Sequence, residues 1–250
     1  MSFSANGRRF LTGNRPLAAQ PYTALVFATT APPPARLLVF ARVPEAGRVK
    51  TRLAASIGNQ RALAAYEAML EDLLRGVGSS TPETEVEVLW APTATATGPT
   101  LRRAFGDHTL AMQTGQTLGD RLAMAFSERF FFHRTQKIIA IGVDDPALSR
   151  ETIDHAFALL DSVEWTIGPA TDGGYYLIGC RAAAFESEVF QNIEWGTKSV
   201  LDTTLSKIRQ WNATVAVLPR RPDIDEEKDM LAYCAEPDGA LSRLLREWDG

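Results

Sequence analysis

The sequence predicts an α/β protein, a layered sheet with helices on both faces. Three observations carry this. Short apolar runs, such as 37–41 (LLVFA) and 138–141 (IIAI), suit strands buried on both sides. Other stretches place apolar residues at three- and four-residue steps, the stripe of an amphipathic helix. The two kinds of segment alternate along the chain, the pattern of a layered sheet rather than a bundle or a sandwich.

The regular pattern starts at Arg36. The run 37–41 ends at Pro44 and Gly47. A near copy lies upstream at 25–28, but only the second leads into a charged glycine loop, so it is taken as the first core strand. Asn59 can cap a helix with Leu63, Tyr66, Leu70 and Leu73 on one face, stopped by Gly76 and Gly78. Val86, Val88 and Trp90 alternate as a strand. Residues 93–100 are rich in Thr, Ala, Pro and Gly and read as a loop. A helix over 119–132 turns Leu122, Ala125, Phe126 and Phe130 inward, and 137–142 is a strand. Ser149 caps the next helix, with Glu151 near its positive end and Ile153, Phe157 and Leu160 inward. Strands follow at 165–167 and 175–178, a helix at 199–211 and an extended segment at 215–218. A closing helix over 239–248 buries Leu241, Leu244 and Leu245.

The chain has 250 residues, 45% hydrophobic and 22% charged, which suffices for one large core. Residues 1–35 read as a flexible leader ending at Pro32, Pro33 and Pro34, and 36–250 as a single domain. Arg8, Arg9 and Arg15 precede a mildly apolar stretch, but Gln20 and Pro21 interrupt it and its uninterrupted core is only 24–28, short for a secretory signal. A net charge of -4 argues against a nucleic-acid binder with a basic surface, while leaving room for a local cationic pocket. Two distant cysteines, Cys180 and Cys234, suit a reducing compartment, so a cytoplasmic location is expected. His108, His133 and His155 lack metal-ligand spacing. No run approaches the ~20 apolar residues of a membrane span.

Familiar nucleotide motifs are missing. Val49 stands where a P-loop needs glycine before Lys50-Thr51, and neither G-x-G-x-x-G nor G-x-S-x-G occurs in place. The loop 44–53 (PEAGRVKTRL) is still informative. It follows a buried strand, on the edge where open α/β sheets bind ligands. Its Arg48, Lys50 and Arg52 beside Gly47 can wrap a diphosphate, although a solvated basic turn has the same composition. Asp144 and Asp145 close the strand 137–142, and either could hold a divalent cation or form an Asp turn before Pro146. Segment 168–177 (GPATDGGYYL) carries paired glycines that allow close backbone approach, or a hairpin turn. Asp172 in it could hold a sugar hydroxyl or a metal-bound water. Asp223 and Asp225 fall on one face of an extended segment, which suits shared metal coordination. Alternatively, 225–227 complement a helix N-terminus.

The ordered set VFARVPEAGRVKTRL, QTGQTLGDRL, IGVDDPAL, IGPATDGGYYLIG, IEWGTKSVL and DIDEEKDM resembles one bacterial family. Its members are nucleotide-diphospho-sugar transferases, sometimes called radical-SAM/selenodomain-associated or arsenosugar-pathway glycosyltransferases. The resemblance spans about 36–232, and KTRL and DGGYYL are its most specific pieces. It implies a GT-A-like fold with a mixed, mainly parallel sheet. It implies nucleotide and diphosphate recognition by Phe40, Ala41, Arg42, Gly47, Lys50 and Arg52. Gln113, Leu118, Gly119 and Arg121 match a second nucleotide-side element, with Gln113 or Gln116 reading a base edge. Asp172, Gly173, Gly174 and Tyr175 match the sugar or acceptor pocket, and Trp195 an aromatic wall. Asp144 matches a metal ligand and Asp223 and Asp225 a late acidic motif touching the same metal. The family commonly has Ser where Asp145 stands.

The resemblance thus implies a glycosyltransferase dependent on Mg²⁺ or Mn²⁺, with Asp144, Asp172 and Lys50 as catalytic residues. Its partners are a nucleotide-diphospho-sugar and a small-molecule acceptor, without nucleic acid or membrane, and a homo-oligomer is compatible with it. Two other readings stay open. One is a nucleotidyltransferase joining a nucleoside triphosphate to a sugar phosphate or small phospho-acid. The other is a non-catalytic sugar-nucleotide-binding protein. All three require Lys50, Asp144 and Asp172 to open onto one mouth.

Overall fold

The computed structural model describes residues 35–233 and 238–249. The leader expected over 1–35, apart from Ala35, and Cys234 lie outside these residues. Seven strands form one sheet: β1 (Ala35–Arg42), β2 (Thr84–Ala91), β3 (Thr109–Met112), β4 (Lys137–Ile141), β5 (Trp165–Pro169), β6 (Tyr175–Arg181) and β7 (Val215–Val217). Their order is β3-β2-β1-β4-β6-β5-β7. Every neighbouring pair is parallel except those of β6, which runs antiparallel to both β4 and β5. The expected mixed, mainly parallel sheet is therefore present.

The apolar runs are continuous because helices cover both faces. Leu37 and Val39 of β1 join Val86, Val88, Ile139 and Ile141 under Leu70 and Leu73 of α2 (Asn59–Val77) and Ile153 and Phe157 of α5 (Arg150–Leu159). Between them in sequence, Leu38 faces the other side with Ile138, Ala140 and Ile178. There it packs beneath Leu122 and Phe126 of α4 (Leu118–Phe131) and Leu205 and Ile208 of α6 (Val200–Gln210). Successive strand residues point to opposite faces, so a strand between two helical layers must be apolar at every position. Each such side chain fully buried contributes roughly 1.5–3 kcal/mol.

The exception on β2 is polar. Glu87 lies under α4 and accepts from Arg129 Nε at 2.9 Å and Nη2 at 2.6 Å, with both side chains buried. Arg36 stands beside it and pairs with Glu85 at 2.7 Å.

Several elements differ from expectation. A short helix, α1 (Thr51–Ile57), starts inside the basic loop, and α2 is entered through Gly58 (φ 83°) rather than capped by Asn59. Residues 98–105, partly within the expected loop, form α3 (Gly98–Phe105), whose N-cap Thr97 accepts from the Thr100 N–H at 3.4 Å. That helix buries Phe105 alone, and β3 is an edge strand of four residues, so neither left a strong apolar pattern. Near the end, α7 (Glu227–Ala232) is closed by a capping box of Glu226 and Asp229, which leaves Asp225 outside the cap. In α8 (Ala240–Asp249) Leu241 is buried, whereas Leu244 and Leu245 are half-buried. Among the described residues no helix is long and apolar enough to cross a membrane.

Candidate functional site

The chain leaving β1 builds the first part of a cleft at the carboxyl edge of the sheet. Val43 and Val49 are buried, pinning both ends of the loop, and Gly47 turns it at φ 77°. Val49 thus fills core space at the position where a P-loop would carry glycine. Lys50 adopts a left-handed conformation (φ 45°, ψ 50°), uncommon for a residue with a side chain, as α1 begins. Its ammonium donates to Asp144 Oδ1 and to the Ile224 carbonyl, and lies 3.5 Å from Asp225 Oδ1. Arg52 Nη1 reaches the other oxygen of Asp225 at 3.0 Å. Arg48 pairs with Glu45 in solvent and lines a neighbouring shallow groove with Gly47.

This first chamber, about 510 Å³, is lined by Phe40, Ala41, Arg42, Lys50 and Arg52 from β1 and the segment after it. Gln116, Leu118 and Arg121 around the start of α4, and Asp144 after β4, also line it. The start of α4 is fixed by a capping box in which the Thr117 N–H donates to Asp120 Oδ2 at 3.0 Å and the Asp120 N–H to Thr117 Oγ1 at 3.1 Å. That box places Leu118 and Arg121 at the rim. Tyr66 holds the end of β1. Its hydroxyl accepts from the Arg42 N–H at 2.8 Å and donates to the Arg42 carbonyl at 3.0 Å. Burial pushes this phenol well above its usual range, so it stays protonated and serves in both directions at neutral pH.

Two residues expected on the nucleotide side have structural work. Gln113 is buried, and its Nε2 donates to the carbonyls of Ala41 at 3.1 Å and Leu89 at 2.7 Å. Its donors join β1 to β2, and it lines the first chamber together with exposed Gln116. Gly119 does not face the chamber. A Cβ there would collide with the Phe190 carbonyl and meet Trp195 Nε1 at 3.0 Å, so its glycine serves helix packing.

A second, smaller chamber of about 180 Å³ adjoins the first and shares Leu118, Gly142, Asp144 and Asp225 with it. Its remaining wall includes Asp172, Gly174, Tyr175, Trp195 and Asp223. Lys50, Asp144 and Asp172 therefore open onto one continuous cleft. The β5–β6 turn supplies Asp172, whose Oδ1 accepts from the Gly174 N–H at 2.7 Å. Gly173 (φ 97°) is required, since a Cβ would stand 2.5 Å from the Lys198 carbonyl. It carries the turn past that segment rather than touching the cavity. Trp195 meets Tyr175 edge to face, with centroids 6.2 Å apart.

The carboxylates differ in environment. Asp145 is buried and held by the Arg221 guanidinium, and its Oδ1 accepts from the Ala147 N–H at 3.2 Å. It is a neutralised structural group, and Arg221 was not legible as its partner. Asp223 Oδ1 accepts from the Thr171 hydroxyl at 2.8 Å. Burial raises its carboxyl above the usual range, and the charges of Asp172 and Asp225 push the same way. The expected metal set of Asp144, Asp223 and Asp225 is not assembled as one. Among the described residues no three His, Cys, Asp or Glu are placed to hold a single ion. Asp144 and Asp225 do converge, and Mg²⁺ commonly takes one or two carboxylates with substrate phosphates and water. That pair fits such an ion chemically, but the Lys50 ammonium lies between them.

A family described as an uncharacterized protein conserved in bacteria (DUF2064) matches residues 78–197. No curated protein matches the chain. The crystal structure of a candidate nucleotide-diphospho-sugar transferase from Desulfovibrio desulfuricans G20 is 31% identical, with a TM-score of 0.81, covering 87% of this chain and 96% of that one. A cytidylyltransferase from Leptospira borgpetersenii is 14% identical with a TM-score of 0.53, covering 87% and 94%. A 4-diphosphocytidyl-2C-methyl-D-erythritol synthase from Anaerococcus prevotii is 10% identical with a TM-score of 0.52, covering 86% and 99%. The last two share the fold.

Proposed function

The chain belongs to the bacterial DUF2064 family and has a 31% identical relative described as a candidate nucleotide-diphospho-sugar transferase, and from that premise we propose that it transfers a sugar from a nucleotide diphosphate to a small-molecule acceptor. The supporting observation is the division of charge across the cleft. Arg42, Lys50, Arg52 and Arg121 line the first chamber against two carboxylates, Asp144 and Asp225. The second chamber adds Asp172 and Asp223 to the shared Asp144 and Asp225, with no Lys or Arg among the described residues of its wall, and its Asp145 is neutralised by Arg221.

A diphosphate is matched by the first surface, and the hydroxyls of a neutral sugar by the second. Nucleotidyl transfer to a sugar phosphate or phospho-acid would bring an anion beside Asp172 and Asp223, the carboxylates of this wall that no described cation pairs. Each like-charge pair at ~4 Å costs about 1–4 kcal/mol. Glycosyl transfer is therefore the better reading.

In this reading the bond from the sugar's anomeric carbon to the diphosphate oxygen breaks, and one to the acceptor oxygen forms. Lys50, Arg52 and Arg121 stabilise the charge growing on the leaving diphosphate. Asp172, fixed by the Gly174 N–H, takes the acceptor's proton. A divalent ion, when bound, would be held by Asp144 and Asp225 and would neutralise the diphosphate as a Lewis acid.

The test is calorimetry with UDP, CDP, GDP and ADP, followed by product analysis with the matching sugar nucleotide. The reading expects nucleoside diphosphate release, reduced by about 10²–10⁴ in Asp172→Asn. Pyrophosphate release from a triphosphate instead would refute it.

A further inference from the structure

The pair Asp144 and Asp225 has the chemistry of a hard-cation site, yet a cation of the chain itself is already there. We infer that Lys50 is the resident counter-charge of this position, and that a divalent ion reaches Asp144 and Asp225 only by displacing it. This rests on reading the first chamber as the diphosphate site.

Three observations carry the inference. The first is the match of donors to acceptors. An ammonium has three N–H donors and no acceptor. Here it faces three oxygens from two segments: Asp144 Oδ1, the Ile224 carbonyl and Asp225 Oδ1. Two carboxylates and a carbonyl form the mixed oxygen set that small hard cations take. The Ile224 N–H donates to the Asp144 carbonyl at 2.9 Å, so the two segments bearing these oxygens are tied together before any ligand arrives.

The second is burial. The Lys50 side chain is 4% exposed, while the carboxylates it serves are open, Asp144 at 57% and Asp225 at 34%. A lysine that merely balanced surface charge would keep its head in water. The third is the backbone. Lys50 holds a left-handed conformation that side chains seldom adopt, and such residues persist only where their surroundings over-determine them. Its carbonyl accepts from the Ala54 N–H at 2.8 Å, and buried Val49 fixes the residue before it.

The consequence is that lysine and metal exclude one another. The ammonium and an ion cannot both occupy the gap between these oxygens. In the resting chain the diphosphate meets exposed Arg52 beside carboxylates that buried Lys50 already neutralises, and entry of a divalent ion releases Lys50 toward solvent.

The direct test titrates Mn²⁺ alone into the full chain and follows free Mn²⁺ by electron paramagnetic resonance. Lys50→Met should bind Mn²⁺ about tenfold or more tighter than the wild type. Adding Asp144→Asn should abolish the gain. Equal affinities in wild type and Lys50→Met overturn the inference, as does a gain that survives Asp144→Asn.

The wild type gives a second measurement that does not depend on how the variant folds. Lys50 should react slowly with an amine-modifying reagent, read by peptide mass spectrometry, and faster as Mn²⁺ saturates. Slow labelling with no Mn²⁺ bound also supports a resident lysine. Bound Mn²⁺ with unchanged labelling refutes it. Nucleoside diphosphates separate this from the parent reading. If they bind only with Mn²⁺ present, the inference alone fails. If none binds under either condition, the reading of the chamber fails.

Discussion

Replacing Tyr66 with Phe removes one oxygen and no volume, so it isolates what the hydroxyl does. That hydroxyl bridges the backbone N–H and carbonyl of Arg42, the residue at which β1 enters the cationic chamber. Two hydrogen bonds are lost, each with a net value near 1 kcal/mol, for a total of about 2 kcal/mol. In a domain of this size that corresponds to a fall in Tm of about 4–8 °C. No cavity term is added, because the ring remains in its buried place beneath the loop. The strand end should loosen, so nucleoside diphosphate affinity should drop by about fivefold or less. Differential scanning calorimetry, with and without ligand, reads both quantities. A Tm within about 1 °C of wild type and unchanged affinity would show that Arg42 needs no such clamp.

The Glu87–Arg129 pair is buried on both sides, so Arg129→Met leaves Glu87 only the longer contact to Arg36 at 3.5 Å and should cost up to ~3–5 kcal/mol in urea unfolding. A loss below about 1 kcal/mol would place the pair with surface ion pairs instead. Asp223, raised by burial, is disfavoured in its ionised form by the fold. Its contribution to stability is fully present below the unfolded carboxylate pKa and is lost as pH rises through the folded value. Asp223→Asn should therefore unfold at a higher temperature than wild type at neutral pH. The gap should close as pH falls below about 4, and parallel profiles across that range would contradict the assignment.

The central strands were legible because both faces of the sheet are covered. Leu37 and Leu38 go to opposite layers, and both layers are apolar. What escaped reading lies where burial is thin, at α3 with its single buried Phe105 and at the edge strand β3. Within the cleft, the charged segments were visible as segments, but their pairings were not. Arg221 meets Asp145 across 76 residues of sequence. The Ile224 oxygen that faces Lys50 is a backbone carbonyl, which every residue has and no motif can mark. Gln113 illustrates the converse. Its polar head suggested base recognition, yet its amide N–H groups are spent on the carbonyls of Ala41 and Leu89. Asp225 was ambiguous between ligand and cap because capping choice depends on where the helix begins, and the box closes one residue later, on Glu226.

The reversed strand β6 has a further effect. Because it turns back directly after β5, the hairpin tip at 170–174 lies at the carboxyl edge, tied to β4 where the Gly142 N–H meets the Tyr176 carbonyl at 3.4 Å. The tip gives the smaller chamber Ala170, Asp172 and Gly174, while three of the four cations of the first chamber, Arg42, Lys50 and Arg52, come from the end of β1 and the segment after it. Descendants of such a scaffold can rewrite that tip and change what is received, with the machinery that grips the activated end inherited intact.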